Sequence, residues 1–343
     1  MLDILPTTSP TLLLRYRDRQ YAAELIATAL LHFDFFSWLA ENGGSLPTTI
    51  AKHFGWAHRP LDVLLTLGCA CGLLSRDSRS GIHLTTQGRE YLVKSSPWFL
   101  GPYYQPIRDT PIVQTFLRVL TTDQPGGWQA KSDHSDWHQS LLDPTFARSF
   151  TDLMNCRGTV FGQHLARALQ PWLGDRRLLL DVGGGSGIYA STFVTAHAQA
   201  QAIVLEQSPV DDLVRQEVQR HGLQDRIQVV TGDMFSIDWP RCEILLLSNV
   251  LHDWDVPAAR LLLAKASQAL PIGGLLVIHD AFLSDDKTGP LPVAEYSALL
   301  MNITQGRCYS AAEYGEMMSD QGFQPGPYQP TLADRGFMVA HRA

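Results

Sequence analysis

Arg177-Leu-Leu-Leu-Asp181-Val-Gly183-Gly-Gly185-Ser-Gly187 runs an apolar strand into a glycine turn, with an acid just ahead of the glycines. A nicotinamide-dependent dehydrogenase sets such a turn against a pyrophosphate, which wants backbone N–H groups and a helix N-terminus. A carboxylate at the mouth of the turn would repel that phosphate. S-adenosylmethionine has no phosphate; it carries an ammonium, a sulfonium and a ribose, so Asp181 would meet positive charge instead. A dinucleotide stays open in one register, since Gly185-x-Gly187-x-x-Ala190 fits the looser G-x-G-x-x-A fingerprint, and so does a turn that only connects strand to helix.

Working outward, strands are expected near residues 177–182, 201–206, 226–230, 243–248 and 274–279, with helical runs between them. That alternation specifies an α/β fold, a Rossmann-like doubly wound parallel sheet that binds ligands at the carboxyl ends of its strands. Segments near 323–328 and 335–341 read as an added antiparallel pair. The strand ends agree with one another. After Asp181, Ala202-Ile-Val-Leu-Glu206 ends in a carboxylate suited to two ribose hydroxyls, and the third strand leads into Gly232-Asp233-Met234-Phe235. Asp233 could accept from an adenine amino group while Met234 and Phe235 flank the ring. Any one of these acids could be a solvated strand end, and Glu206 alone would also fit a dinucleotide; three in succession favour S-adenosylmethionine.

The 343 residues are 45% hydrophobic and 18% charged, enough for a sizeable core and more than one domain. A net charge of −7 and a pI near 5.9 argue against a nucleic acid or an anionic membrane as partner, which would require a basic face. No apolar run approaches the ~18 residues of a membrane span, and Met1-Leu-Asp-Ile-Leu-Pro6 has no signal-peptide character, so a cytoplasmic location is expected. Cys69, Cys71, Cys156, Cys242 and Cys308 have neither disulfide-framework nor zinc spacing. His134 and His138 are four apart, as helix-borne metal ligands would be, but have no third ligand nearby; no metal is expected.

Toward the amino terminus, Tyr21, Leu25, Ala29, Phe33, Phe36 and Leu39 recur at helical spacing, predicting one helix over 19–40 that Gly43-Gly44 ends. A second helix is expected from Pro47 to Phe54, a third from Pro60 to Cys71, and a hairpin over 73–84. This order makes a winged-helix unit and raises DNA binding as an alternative. Its third helix, Leu61-Asp-Val-Leu-Leu-Thr-Leu-Gly-Cys-Ala-Cys71, has no Lys or Arg to meet phosphates or bases, so packing or dimerisation is the better reading. The expected division is an N-terminal winged-helix domain over 1–97, an aromatic-rich helical connector over 98–172, and the sheet domain over 173–343.

Ser248-Asn-Val-Leu-His252-Asp-Trp254 places an imidazole after the fourth strand, at the crevice; taken alone, such a His is more often structural. A carboxylate beside it would fix its tautomer, and Asp280, ending Val277-Ile-His-Asp280, is the candidate. A free imidazole of pKa ~6.5 takes a proton from a phenol of pKa ~10 at a cost of about 5 kcal/mol, whereas an ordinary hydroxyl is out of reach, so phenolic or enolic acceptors are favoured.

With these stretches, with Leu251-His-Asp-Trp254 followed by a helix to Leu270-Pro271, and with Gly273-Gly274 and Gly322-Phe323, the chain resembles the small-molecule O-methyltransferases of caffeic acid, hydroxyindole and bacterial polyketide type over nearly its whole length. The resemblance implies an N-terminal all-helical winged-helix dimerisation domain, hence a homodimer, and a C-terminal S-adenosylmethionine domain. It implies cofactor contacts from Asp181, Gly183, Gly185, Glu206, Asp233, Met234, Phe235 and Ser248, with His252 as general base partnered by Asp280. An aromatic acceptor would be lined by Phe150, Met154, Asn155, Arg157 and Cys308. Read bare, the connector residues fit a core as well as a pocket; Arg157 would suit an acidic or carbonyl-bearing acceptor.

Two positions depart from the family. Cys308, in Gly306-Arg-Cys-Tyr-Ser310, stands where a second acid is usual, and a thiol is no charge partner near neutrality unless its pKa falls well below ~8.5. Ser248 stands where plant members have Lys near the adenine, so either the backbone meets the adenine there or nothing does. Methylation at a phenol oxygen leads; C-methylation of the activated ring and a non-methylating S-adenosylmethionine-binding relative are the alternatives.

Overall fold

The structure is a computed structural model that describes residues 2–79, 81–126 and 140–343. Trp128, Trp137 and the His134/His138 pair lie outside these. The described residues form two bodies: 2–12, 140–282 and 311–343 in one, 13–126 and 283–310 in the other.

In the helical body, α1 (Thr11–Asp18) is followed by α2 (Ala22–Leu31), α3 (Phe35–Glu41), α4 (Pro47–Phe54) and α5 (His58–Ala70). The single helix expected over 19–40 is broken. Tyr21 and Asp34 take left-handed backbone, and the bend at Asp34 lets Phe33 and Phe35 both reach Trp56, at ring separations of 4.9 and 5.6 Å. Packing both rings on Trp56 outweighs continuing the helix through them. The hairpin follows as expected, β1 (Leu74–Arg76) antiparallel to β2 (Ile82–Leu84), then α6 (Thr86–Leu92), α7 (Gly101–Tyr104) and α8 (Pro111–Thr122).

The sheet body begins with α9 (Pro144–Leu173), whose Pro144 occupies the first turn and whose Asp143 side chain accepts the Phe146 N–H at 2.8 Å. Then alternate β3 (Leu178–Val182), α10 (Ile188–Ala196), β4 (Gln201–Glu206), α11 (Val210–Arg220), β5 (Ile227–Thr231), β6 (Ile244–Ser248), α12 (Val256–Ala269) and β7 (Leu275–Asp280). β8 (Phe282–Leu283) and β9 (Tyr309–Ser310) flank α13 (Leu291–Ile303); α14 (Ala311–Ser319), β10 (Phe323–Pro325), β11 (Gln329–Pro330) and β12 (Gly336–Arg342) complete the chain.

The eight-stranded sheet has the order β10-β12-β7-β6-β3-β4-β5, with β11 also paired to β12. β3 to β7 are parallel, β12 joins β7 antiparallel, and β10 pairs with β12 antiparallel, as the terminal segments predicted. The apolar runs of β3 and β6 are buried along their length because helices cover both faces. The chain moves outward from β3 to β5 and returns to β6 on the other side of β3, so a crevice opens at the carboxyl ends of β3 and β6.

Glycines on α9 set the roof of that crevice. A Cβ at Gly158 would lie 2.6 Å from Ile188 Cγ2, and one at Gly162 would collide with Thr192 Oγ1, so α9 crosses α10 at close range. The crossing brings the turn of α9 around Asn155 onto the glycine turn, where Ser186 Oγ donates to Asn155 Oδ1 at 2.9 Å.

The grouping of residues differs from the division at 97 and 172. Residues 283–310 join the helical body, where α13 packs on α2, α5 and α8, while α8 and α9, both within the expected connector, fall in different bodies. Among the described residues no single helix is long and apolar enough to cross a membrane.

Candidate active site

At Gly183 (φ +64°) and Gly185 (φ +59°) the turn leaving β3 needs the left-handed backbone that glycine adopts without strain. A Cβ on Gly183 would press to 3.2 Å from Val250 Cγ2, with Met234 Sδ at 3.7 Å, while in front of Gly185 nothing lies within 4 Å. The turn therefore offers bare backbone, walled on one side by Val250 and Met234.

Asp181 does not face the crevice opening as expected. Its carboxylate is 1% exposed and lies beneath the turn, where Oδ2 accepts the Ala190 N–H at 3.3 Å in the first turn of α10. Its carboxyl still underlies the turn that a phosphate would approach. Glu206 reaches the turn from the neighbouring strand, Oε2 accepting from Gly185 N–H and Oε1 from Gln207 N–H, both at 2.9 Å. Burial is the main cause that raises each of these acids to about 7; the Glu206 charge adds to the rise at Asp181 and the Asp211 charge to that at Glu206. Asp233 Oδ1 accepts the Phe235 N–H at 3.0 Å, and the Phe235 ring meets Trp254 edge-on at 4.6 Å.

The Ser248 side chain is engaged within the protein. Asn249 Nδ2 donates to both Tyr189 Oη and Ser248 Oγ at 3.1 Å, and Ser248 Oγ shares a hydrogen bond with His279 Nδ1 at 2.8 Å. Burial lowers His279 to about 3, so it stays neutral. A Ser248 contact to a cofactor would thus fall to its backbone. Asn249 itself has φ +53°, and Arg335 Nε approaches its Oδ1 at 3.4 Å. Sequence reading missed this Tyr189–Asn249–Ser248–His279 chain, since neutral polar residues on three elements carry no pattern.

His252 and Asp280 do come together. His252, in the turn after β6, is 2% exposed, and its Nδ1 hydrogen bonds Asp280 Oδ1 at the end of β7. Asp280 also accepts from Ala281 N–H at 2.7 Å and from the Tyr314 hydroxyl at 2.8 Å. Desolvation pushes Asp280 up, but the His252 charge and these hydrogen bonds outweigh it and hold the carboxyl below its ordinary value. The other ring nitrogen, Nε2, has Asp253 Oδ1 at 3.6 Å. Tyr314 was likewise missed.

On α9, Met154 Sδ is 3.1 Å from Arg157 Nη2, and Asn155 holds the glycine turn. Phe150 stacks on Phe146 beside a small cluster of Leu141, Ala147 and Val210, in keeping with its bare reading as core. Cys308 is fully buried in the helical body, its N–H donating to Ser297 Oγ at 3.1 Å. Among the described residues no cluster of His, Cys, Asp or Glu could hold a metal.

A doubly wound sheet with glycine backbone at its switch point and acids on successive strand ends defines a nucleoside-cofactor enzyme of the non-phosphate kind. The profile of the O-methyltransferase domain matches residues 121–324, and the chain belongs to that family. It is 30% identical to the 3-hydroxy-5-methyl-1-naphthoate 3-O-methyltransferase of Streptomyces sahachiroi over 86% of this chain and 84% of that one. Identity to the L-tyrosine C(3)-methyltransferase of Streptomyces lavendulae is 27%, over 91% and 87%. Among solved structures, an O-methyltransferase family 2 protein from Planctomyces limnophilus in complex with apigenin superposes with a TM-score of 0.89 at 28% identity, covering 100% of this chain and 98% of that one. The chain is an S-adenosylmethionine-dependent methyltransferase. The site suits this cofactor: bare glycine backbone, open space before Gly185, and two buried acids that a positive charge would relieve.

Proposed function

We propose that the protein methylates a phenolic hydroxyl of an aromatic small molecule, with His252 as general base and Asp280 as its orienting partner. The observation that carries this is the buried His252–Asp280 pair at the carboxyl edge of β6 and β7. S-adenosylmethionine supplies, when bound, a methyl group on positively charged sulfur that an electron-rich atom can take. Glu206 and Asp233, flanked by Met234 and Phe235, would hold the nucleoside with the backbone at Ser248, and Gly183 and Gly185 its amino acid end, over the Asp181 carboxyl. Asp280 accepts from Nδ1 and so leaves the Nε2 lone pair to take the acceptor's proton, then stabilises the imidazolium. Met154, Asn155 and Arg157 would cover the acceptor. Arg157 favours an acceptor that bears a carboxylate or carbonyl, in line with the naphthoate and tyrosine of the relatives' names.

Replacing His252 by Ala should abolish turnover of a phenolic acceptor and leave S-adenosylmethionine affinity within about two-fold, read by product assay and calorimetry. Unchanged turnover would refute the mechanism. C-methylation is the second reading, favoured by the tyrosine C(3)-methyltransferase relative, because a phenolate is also nucleophilic at its ortho carbon. Labelled methyl that survives ether cleavage would decide for carbon. We also assign the helices and hairpin of residues 1–97 to a winged-helix dimerisation domain; its exposed Leu13, Tyr16 and Leu46 suit a partner copy, and light scattering that gave a monomer would reject it.

A further inference from the structure

Asp280 is held at both of its oxygens. Oδ1 accepts from His252 Nδ1 and from the Ala281 N–H, while Oδ2 accepts the hydroxyl of Tyr314 at 2.8 Å. Tyr314 comes from α14 and is fully buried, its ring packed edge-on against Phe282 at 5.2 Å. A carboxylate anchored at one oxygen can still turn about its last torsion, whose preference is broad. With the second oxygen tied, the plane facing His252 is fixed, Nδ1 must carry the proton and Nε2 is left as the acceptor.

We infer that Tyr314 is a positioning residue: through Asp280 it selects the Nδ1–H tautomer of His252 and so keeps Nε2 available as base. The inference rests on His252 being that base. Asp253 lies on the Nε2 side at 3.6 Å, where it favours the protonated ring once formed but also the competing Nε2–H tautomer, which the hold on Asp280 has to outweigh; Arg335 and Arg157 act electrostatically on His279, the neighbour of Asp280 on β7, which burial keeps neutral. Among the described residues Tyr314 is the one side chain other than His252 that hydrogen bonds the Asp280 carboxylate.

Tyr314→Phe deletes one oxygen and keeps the buried ring. Long-range 1H–15N spectra of histidine-labelled protein, with neither cofactor nor acceptor, distinguish the two neutral tautomers. The parent should show His252 as Nδ1–H alone and Y314F as a mixture, with kcat lowered about tenfold, KM and S-adenosylhomocysteine affinity within about two-fold, and an Asp280 carboxyl that titrates at higher pH. An unchanged tautomer, with or without a fall in kcat, overturns the inference. A mixed tautomer with unchanged kcat upholds the positioning and overturns His252 as base, so the two failures separate. A reading that needs no variant guards against misfolding: the Tyr314 hydroxyl proton of the parent should be a slowly exchanging resonance, and its absence also overturns the inference.

Discussion

Asp181 and Glu206, each raised to about 7, give the glycine-turn site less negative charge near neutrality than its sequence spells out. Because both carboxyls keep their protons in the folded protein at a pH where the unfolded chain has lost them, ligand-free stability falls as pH rises from about 4 to 7. A cationic cofactor favours the ionised acids, so its affinity should rise between pH 6 and 8 and its binding should release protons. Calorimetry in buffers of different ionisation enthalpy checks this; Glu206→Gln should flatten the dependence, and a pH-independent affinity in the parent would contradict it. The positions of these acids were legible because a strand end is a local pattern. The direction of the Asp181 side chain was not, since it depends on where the Ala190 N–H falls after the turn. Tyr314 left no local trace: it meets Asp280 from 34 residues away.

Between elements, the crossing of α9 over α10 fixes how the roof meets the turn. Gly162→Ala puts a methyl against Thr192 and should cost about 1–3 kcal/mol in denaturant unfolding, as overpacking does. It should also weaken cofactor binding several-fold, because Asn155 is lifted from Ser186; undiminished affinity would mean that the roof is not positioned by this contact. Gly158 and Gly162 stand four apart in the sequence, but nothing there tells which helix they oppose. Parallel strands β3 to β7 read clearly because both-face burial writes continuous apolar runs, whereas the break at Asp34 reflects rings competing for one cluster.

For the whole molecule, Arg59 ties the returning segment into the helical body. Its Nη1 donates to the carbonyls of Met301, Thr304 and Gly306, the last at 2.8 Å, and its Nε pairs with Asp123 at 2.8 Å. Desolvation lowers the guanidinium from its ordinary value, though it remains the charge that Asp123 meets. A fragment of residues 140–343 would carry α13 without α2, α5 and α8, exposing Leu299, Leu300 and Met301. Such a fragment should be polydisperse in light scattering; a monodisperse, cooperatively melting one would show that the sheet body tolerates that segment unpaired. Sequence order hid this grouping, because partners far apart in the chain share no periodicity.

The return of residues 283–310 to the first body also sets a timetable. On the ribosome, α2, α5 and α8 emerge long before α13 is made, so the amino-terminal body must wait, its apolar seam open, while the entire parallel sheet is synthesised. The part of the chain made first is among the last to be finished.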